Sequence, residues 1–440
     1  MNAEIRPVRT AAEIGLFDLF AAEHKGLPGG STIEAMRREA FDRFVAQGLP
    51  HSRVEAWKYT NLRRLVRDAK PLAARPDVAA KVAAGKAGAI FAGLNFRRLV
   101  IVDGAFVPEL SDLADLEPGV SVRATIKQLD ADIPVALDGG MVGTDAVAAL
   151  NTAFAADGVM LTVDPDVVVS RPIHLAFVAT AATPSAMFTQ SSLSVGSGAA
   201  VTLIETHEGP DHSEYQVNTA LRMMVGDRAQ LDHIKVTSEG AAALHLATLT
   251  AEIRANATYR EFCLTTGGAV VRNQLFVRLA GEGTTASVHH ASLLAGRQHA
   301  DTTLVVDHAA VGSESREVFK AVIDDEARAV FQGRITVQPS AQQTDARMMA
   351  RALLLSDDAV ANCKPELEIF ADDVQCGHGT TTGALDDQLK FYLMARGIPE
   401  KQAEALLIEA FVGEVINEIA RDDIREALLR VMRDWLKDRD

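Results

Sequence analysis

Between Gly158 and about Pro339 the chain runs for about 180 residues with almost no helical periodicity. Val159 to Val163, Ile173 to Ala179, Ser192 to Val195, Val201 to Glu205, Leu231 to Val236, Gln274 to Leu279 and Thr303 to Val306 alternate instead with a period of two, as strands do. A succession this long exceeds what one open sheet holds before it curls or splits. Turn-like glycines recur at related intervals, 28 residues from Gly198 to Gly226 and 29 from Gly283 to Gly312. One strand-rich coil per interval makes a parallel β-helix, in which each coil buries its small and branched side chains against the next. A β-sandwich is the second architecture that the pattern allows. Aromatic residues make up only 5% of the chain, which suits thin stacked layers better than a core built on large rings.

Helical patterning confines itself to the two ends. Ala11 to Glu23 and Ser31 to Gln47 carry apolar residues at helical spacing, separated by a Gly- and Pro-containing break at Gly26, Pro28, Gly29 and Gly30. Asp103-Gly104 places a turn between two apolar runs, and Asp145 to Ala156 reads as an Ala-rich helix. Beyond the strands, Asp386 to Ala395, Pro399 to about Arg421 and Ile424 to Leu436 read as three helices. They carry more apolar surface than they can bury among themselves, so part of it should meet the β core or another protein. The expected organisation is an N-terminal helical domain (1–98), a connecting α/β segment (99–157), the β core (158–385) and a C-terminal helical domain (386–440).

Composition removes several function classes. A net charge of −15 disfavours nucleic acid as a partner, because phosphate binding needs concentrated Lys and Arg. There is no Gly-x-x-x-x-Gly-Lys-(Ser/Thr) loop, so nucleotide is not expected to bind this chain itself, and neither a Gly-x-Ser-x-Gly elbow nor a His-Glu-x-x-His pair is present. The three cysteines, Cys263, Cys363 and Cys376, are too few and scattered for a disulfide framework and point to a reducing compartment. No apolar run reaches membrane-spanning length, and the start MNAEIRPVRT lacks the apolar region of a secretory signal; the expected location is cytoplasmic. A β-solenoid carbohydrate-active enzyme such as a polysaccharide lyase is an alternative, but no cluster of acids and bases on one face is visible.

The ligand-type residues centre on Cys376-Gly377-His378. Two positions apart on an extended segment, Cys376 and His378 leave the same face, and thiolate with imidazole is a donor set for iron or other borderline metals. The other reading is a buried cysteine beside a hydrogen-bonded histidine. Cys263 reads as packed, although a path along the inside of the helix could reach it. Cys363 reads as an incidental loop residue before Lys364-Pro365. His289-His290 would point to opposite faces and reads as structural.

The run KPELEIFADDVQCGHGTTTGALDDQLKFYLMARGI, from Lys364 to Ile398, resembles the most recognisable segment of the SufB/SufD family of iron-sulfur cluster assembly scaffolds. Arg53-x-Glu55-x-Trp57-Lys58-Tyr59-Thr60, and Leu150-Asn151-Thr152-Ala153-Phe154 leading to Asp157-Gly158, are similar to further steps of that family. The resemblance implies a right-handed parallel β-helix core flanked by N-terminal and C-terminal helical domains. It implies a SufD-like, non-catalytic subunit that pairs with SufB, binds the ATPase SufC through its C-terminal helices, and shares iron or a nascent Fe-S cluster at the SufB junction. His378 is the first candidate ligand in that picture and Cys376 the second; a purely structural subunit is the alternative, and a homodimer is possible in isolation. Ala359, after Leu353 to Asp358, stands where SufB carries its scaffold cysteine in the loop after the last core strand, which favours the SufD branch. Arg347 to Arg351 replaces a more polar step, and Thr380-Thr381-Thr382 stands where Ala-Thr-Val is common.

Overall fold

A computed structural model describes residues 9–135, 141–143, 145–180, 183–211 and 213–438, and the start of the chain read above as lacking a signal lies in part outside them. Among the described residues, strands alternate between two sheets, one of ten strands and one of nine. The strand Ala200–Glu208 pairs in parallel with Gln230–Ser238, which pairs with Thr258–Thr265, while Tyr215–Val225 pairs with Leu244–Ile253 on the opposite sheet. From Ala200 to Asp345, partners in neighbouring coils are 27 to 31 positions apart. This is a right-handed parallel β-helix, the hand that connections between parallel strands take.

The register stacks like on like. Leu221, Leu249, Leu275 and Leu304 are successive partners across four coils, all buried in the main core. Each contributes about 1.5–3 kcal/mol by leaving water. At the next step of this column stands Gly333, where a Cβ would come within 2.4 Å of Met348 Sδ, so the methionine occupies the space that a side chain would need.

One corner of each coil is turned by a residue in the left-handed region: Asp166, Gly198, Arg228, Asn256, Gly283, Gly312 and Gln343. The 29-residue interval from Gly283 to Gly312 is therefore a true coil repeat. The interval from Gly198 to Gly226 is not, because Gly226 is equivalent to Gly196, each donating its N–H to the last residue of the strand one coil back. The equivalent of Gly198 is Arg228, and four of these seven left-handed corners carry a side chain, so glycine spacing alone does not trace the repeat.

At the first end the hairpin of Arg97–Val102 and Ala105–Phe106 extends one sheet, and Val120–Ala124 closes the other antiparallel to Val159–Val163. Helices Ala11–Glu23 and Ser31–Gln47 join Ala146–Phe154 over the outside of the nine-stranded sheet, with Phe20 and Phe41 stacked at 3.9 Å. Thr10 and Glu13 form the capping box that starts the first helix. Of the C-terminal helices Asp387–Met394, Glu400–Ile416 and Asp422–Asp438, the last two bury Ile408, Val412, Val415, Ile424 and Leu428 against Ile234, Phe262 and Leu293 of the ten-stranded sheet. The helix expected to run to Arg421 stops at Ile416, and Asp422 and Asp423 open the next one, where carboxylates favour the positive end of the helix dipole. Among the described residues no helix is long and apolar enough to cross a membrane.

The far end is different. Strands Val360–Ile369 and Gln375–Gly383 terminate the two sheets, with no further strand among the described residues paired outside them. The strand Asp345–Leu354, expected to be the last of the core, is followed by both of these, so the turn holding Ala359 lies one coil inside the end.

Candidate functional site

The terminal strands decide where the candidate ligands point. Gln375–Gly383 lies in register on Asp345–Leu354, with Cys376 beside Ala346 and His378 beside Met348. Ala346, Met348 and Ala350 are buried in the main core, so the same face of the terminal strand looks into the helix interior. Cys376 and His378 therefore leave one face, as their spacing predicts, and stand at the open mouth of the solenoid; Cys376 is half-buried and His378 exposed.

Cys363 is not in a loop. It lies within the strand Val360–Ile369, paired with the buried Phe331, and packs with Cys376 against the same core. Pro365 misled the sequence reading, since a proline inside a run argues against a central strand; this strand is an edge, where proline is tolerated. Burial raises both thiols above the ordinary cysteine value, so either becomes a thiolate only when a cation offsets that cost.

Farther in, the lumen is polar. Glu205, Lys235, Cys263 and His290 are successive partners across four coils. His207 Nε2 and His233 Nε2 donate to the two oxygens of Glu205 at 3.1 and 2.8 Å. Against the upward push of burial, those bonds and the Lys235 charge hold the Glu205 carboxyl well below its ordinary range. Lys235 Nζ donates to Asn273 Oδ1 at 2.9 Å and to His245 Nε2 at 3.1 Å. Burial takes the Cys263 thiol up to about 12 and His207 down to about 4. The two adjacent histidines do face opposite ways: His290 points inward to Glu261 at 2.8 Å, while His289 lines the cavity beneath Val415 and Glu418 on the outside.

Among the described residues, two trios of ligand-type side chains bring their donor atoms within 4.8 Å of one another: Glu261, Cys263 and His290, and His207, Glu239 and His245. Neither includes Cys376 or His378, which the chain alone does not complete into a three-ligand group. The trios escaped sequence reading because each unites residues from different coils. Only Glu261 and Cys263, two apart on a strand, carried a local signal.

The Trp57 segment is a structural junction. The Trp57 indole donates to Asp145 Oδ2 at 3.0 Å and the Arg272 guanidinium lies 3.7 Å from its ring centre. Arg272 in turn pairs with the buried Asp301, which also accepts from the Thr60 hydroxyl. Glu55 pairs with Lys364 on the terminal coil, tying the N-terminal segment to the site end.

The site end also carries uncovered apolar surface. On the helix Asp387–Met394, Phe391 is 72% exposed and Tyr392 53%, and Phe370, just past the strand Val360–Ile369, is 61% exposed. Phe391 and Tyr392, neighbours on one helix, give it apolar surface that the rest of the chain leaves uncovered.

Residues 177–411 match the family model described as SUF system FeS cluster assembly, SufBD core domain, and residues 10–175 match the SufBD protein N-terminal region. The chain is 31% identical over 408 residues to an iron-sulfur cluster assembly SufBD family protein of Synechocystis sp., with 88% of each chain covered. It is 28% identical over 414 residues to the iron-sulfur cluster assembly protein SufD of Escherichia coli K12, covering 93% of each. Bacillus subtilis SufD is 26% identical over 304 residues, which cover 68% of this chain and 69% of that one. With both of its family regions matched from residue 10 to residue 411, this chain belongs to the SufBD family of iron-sulfur cluster assembly proteins.

Proposed function

We propose that this chain is a SufD-type, non-catalytic scaffold subunit that pairs with SufB across the open end of its solenoid and holds iron or the nascent cluster at that junction. His378 is the principal ligand that it brings, with Cys376 beside it. The observation that carries the reading is the coincidence of an unpaired sheet edge with these two side chains on its inward face. An exposed edge is a template for another chain's strand. A second subunit paired there would bring its own donors to the mouth, where this chain offers an imidazole and a thiol. Imidazole is neutral where thiolate is charged, so mixed ligation puts less negative charge on the cluster than four thiolates would.

The SufC ATPase docks on the C-terminal helices, whose Phe391 and Tyr392 supply uncovered apolar surface, and ATP-driven closure of SufC would shift the junction. Iron and the cluster are cargo in this reading, and the chain binds no nucleotide. It works in the cytoplasm, where its cysteines stay reduced.

The test is anaerobic reconstitution of the complex formed by this chain with SufB and SufC from the same genome. His378→Ala should leave the mass of the complex unchanged and lower the iron and sulfide it retains, with Cys376→Ala adding to the loss. Wild-type iron and sulfide in the double variant would remove the ligand role, and failure to associate with SufB would remove the assignment altogether.

A further inference from the structure

The lumen holds a second ligand set, separate from the mouth of the solenoid and independent of the reading above. The corner between Gln230–Ser238 and Leu244–Ile253 begins with Glu239 and ends beside His245, while His207 faces it from the coil before. One ligating atom from each of the three lies within 4.8 Å of the others, and all three side chains are buried. The atoms free to ligate are His207 Nδ1, Glu239 Oε2 and His245 Nδ1, none of which has a hydrogen-bond partner. His245 Nδ1 and Glu239 Oε2 stand 2.9 Å apart, yet off the line that a hydrogen bond requires. Buried polar atoms without partners are costly, and three of them on side chains grouped this closely is an arrangement that a cation resolves.

We propose that His207, Glu239 and His245 bind one borderline divalent cation, of zinc or ferrous type, that closes this corner of the solenoid from within. Two imidazoles and a carboxylate are a known set for such ions, leaving a fourth position for water. The supporting shell is in place: His207 gives its Nε2–H to Glu205 Oε1 at 3.1 Å, which fixes the ring with Nδ1 bare. The carboxyls of Glu205 and Glu239 outnumber the single buried ammonium beside them, Lys235, so the local charge favours a cation. With the ion on Nδ1, His245 carries its proton on Nε2, so the Lys235 ammonium 3.1 Å away must give up that bond and turn to its other acceptor, Asn273 Oδ1. The second trio is the weaker candidate because its atoms are engaged: His290 bonds Glu261, and Asn273 donates to Cys263 Sγ at 3.9 Å.

The site is enclosed, so the ion enters as the coil closes. The full chain should therefore be refolded with and without zinc sulfate, desalted, and its zinc counted. About one zinc per chain should be retained, and Glu239→Gln, which keeps the volume, should weaken binding by more than about tenfold. The double variant Cys376→Ala/His378→Ala should retain the zinc in full. Should Glu239→Gln not fold, the wild-type chain refolded with cobalt decides. A d–d spectrum without the intense near-ultraviolet thiolate band supports the nitrogen and oxygen set, whereas a thiolate band moves the ion to Cys263, Cys363 or Cys376 and overturns it. Wild-type protein that retains no metal, or Glu239→Gln that retains as much, overturns it as well.

Discussion

Glu317 and His378 stand in one column of the solenoid with only Met348 between them, since Glu317 pairs with Met348 and Met348 with His378 across consecutive strands. At the spacing of neighbouring strands, the carboxyl's strand lies about 10 Å in from the terminal one. Glu317 is completely buried, neither of its oxygens has a hydrogen-bond partner, and burial raises its carboxyl to about 8. At neutral pH the inner wall behind the candidate ligand thus carries a neutral acid. Between the ordinary value of 4.5 and about 8 the folded chain keeps a proton that the unfolded chain has lost. Stability should therefore fall as pH rises through this window, by up to about 1.4 kcal/mol per unit. Urea unfolding at a series of pH values should show the slope in the wild type and not in Glu317→Gln; parallel curves would mean that the carboxyl ionises normally.

His308 gives the opposite sign. It bridges Ser313 Oγ at 2.7 Å and Ser315 Oγ at 2.9 Å, and burial lowers its value from 6.5 to about 4. As pH falls through that window the unfolded chain gains a proton that the folded chain refuses, so stability is lost on acidification. The loss assignable to this residue is about 3 kcal/mol, complete once the pH passes below about 4. His308→Gln should unfold at lower pH than the wild type does, and an identical acid transition would refute the assignment.

The junction of Trp57, Arg272 and Asp301 yields a coupling test. Removing the guanidinium leaves the Asp301 carboxylate buried with the Thr60 hydroxyl but without its counter-charge. Arg272→Met should cost about 3–5 kcal/mol, the range for breaking one side of a buried ion pair. The double variant Arg272→Met/Asp301→Asn should recover part of that loss in equilibrium denaturation. Simple addition of the two single effects would show that the pair is not coupled.

Which of these features was legible in the sequence follows from the range over which each is encoded. The strand at Leu231 to Val236 and the shared face of Cys376 and His378 are each encoded within one strand and emerged as read, except that His233 and Lys235 take the lumen side while Ile234 and Val236 pack under the C-terminal helices. The helix Ala11–Glu23 is likewise local, fixed by its Thr10–Glu13 capping box and apolar spacing; Ser31–Gln47 also agrees residue for residue, although its first N–H groups are capped by the distant Asp132 and not by a local side chain. Cys363 misled because Pro365 is a local signal whose meaning depends on whether the strand is central or terminal. Glu317 beneath His378, or Glu239 beside His207, has no local signal at all. Those neighbours are set by coil length, which varies from 27 to 31 residues, and corners such as Arg228 and Gln343 turn without a glycine to mark it.

The terminal strand offers the sharpest test of the open edge, because its backbone groups alternate in direction. Gln375 donates its N–H inward to Thr344 O at 2.8 Å, so by the register of the parallel pair Gly377, Gly379 and Thr381 also point inward. Cys376, His378, Thr380 and Thr382 then turn their N–H groups to the open side. Proline removes one N–H and is tolerated only where none is needed. Thr380→Pro should leave the thermal transition of the isolated chain nearly unchanged and yet prevent co-purification with SufB, because it deletes a donor that only a partner strand would use. Thr381→Pro should do the reverse in part, lowering the transition temperature by removing a bond to Asp345–Leu354. If Thr380→Pro still captures SufB at wild-type yield, strand pairing along this edge is not how the subunits meet, and the exposed Phe370 end and the Phe391 helix become the surface to substitute next.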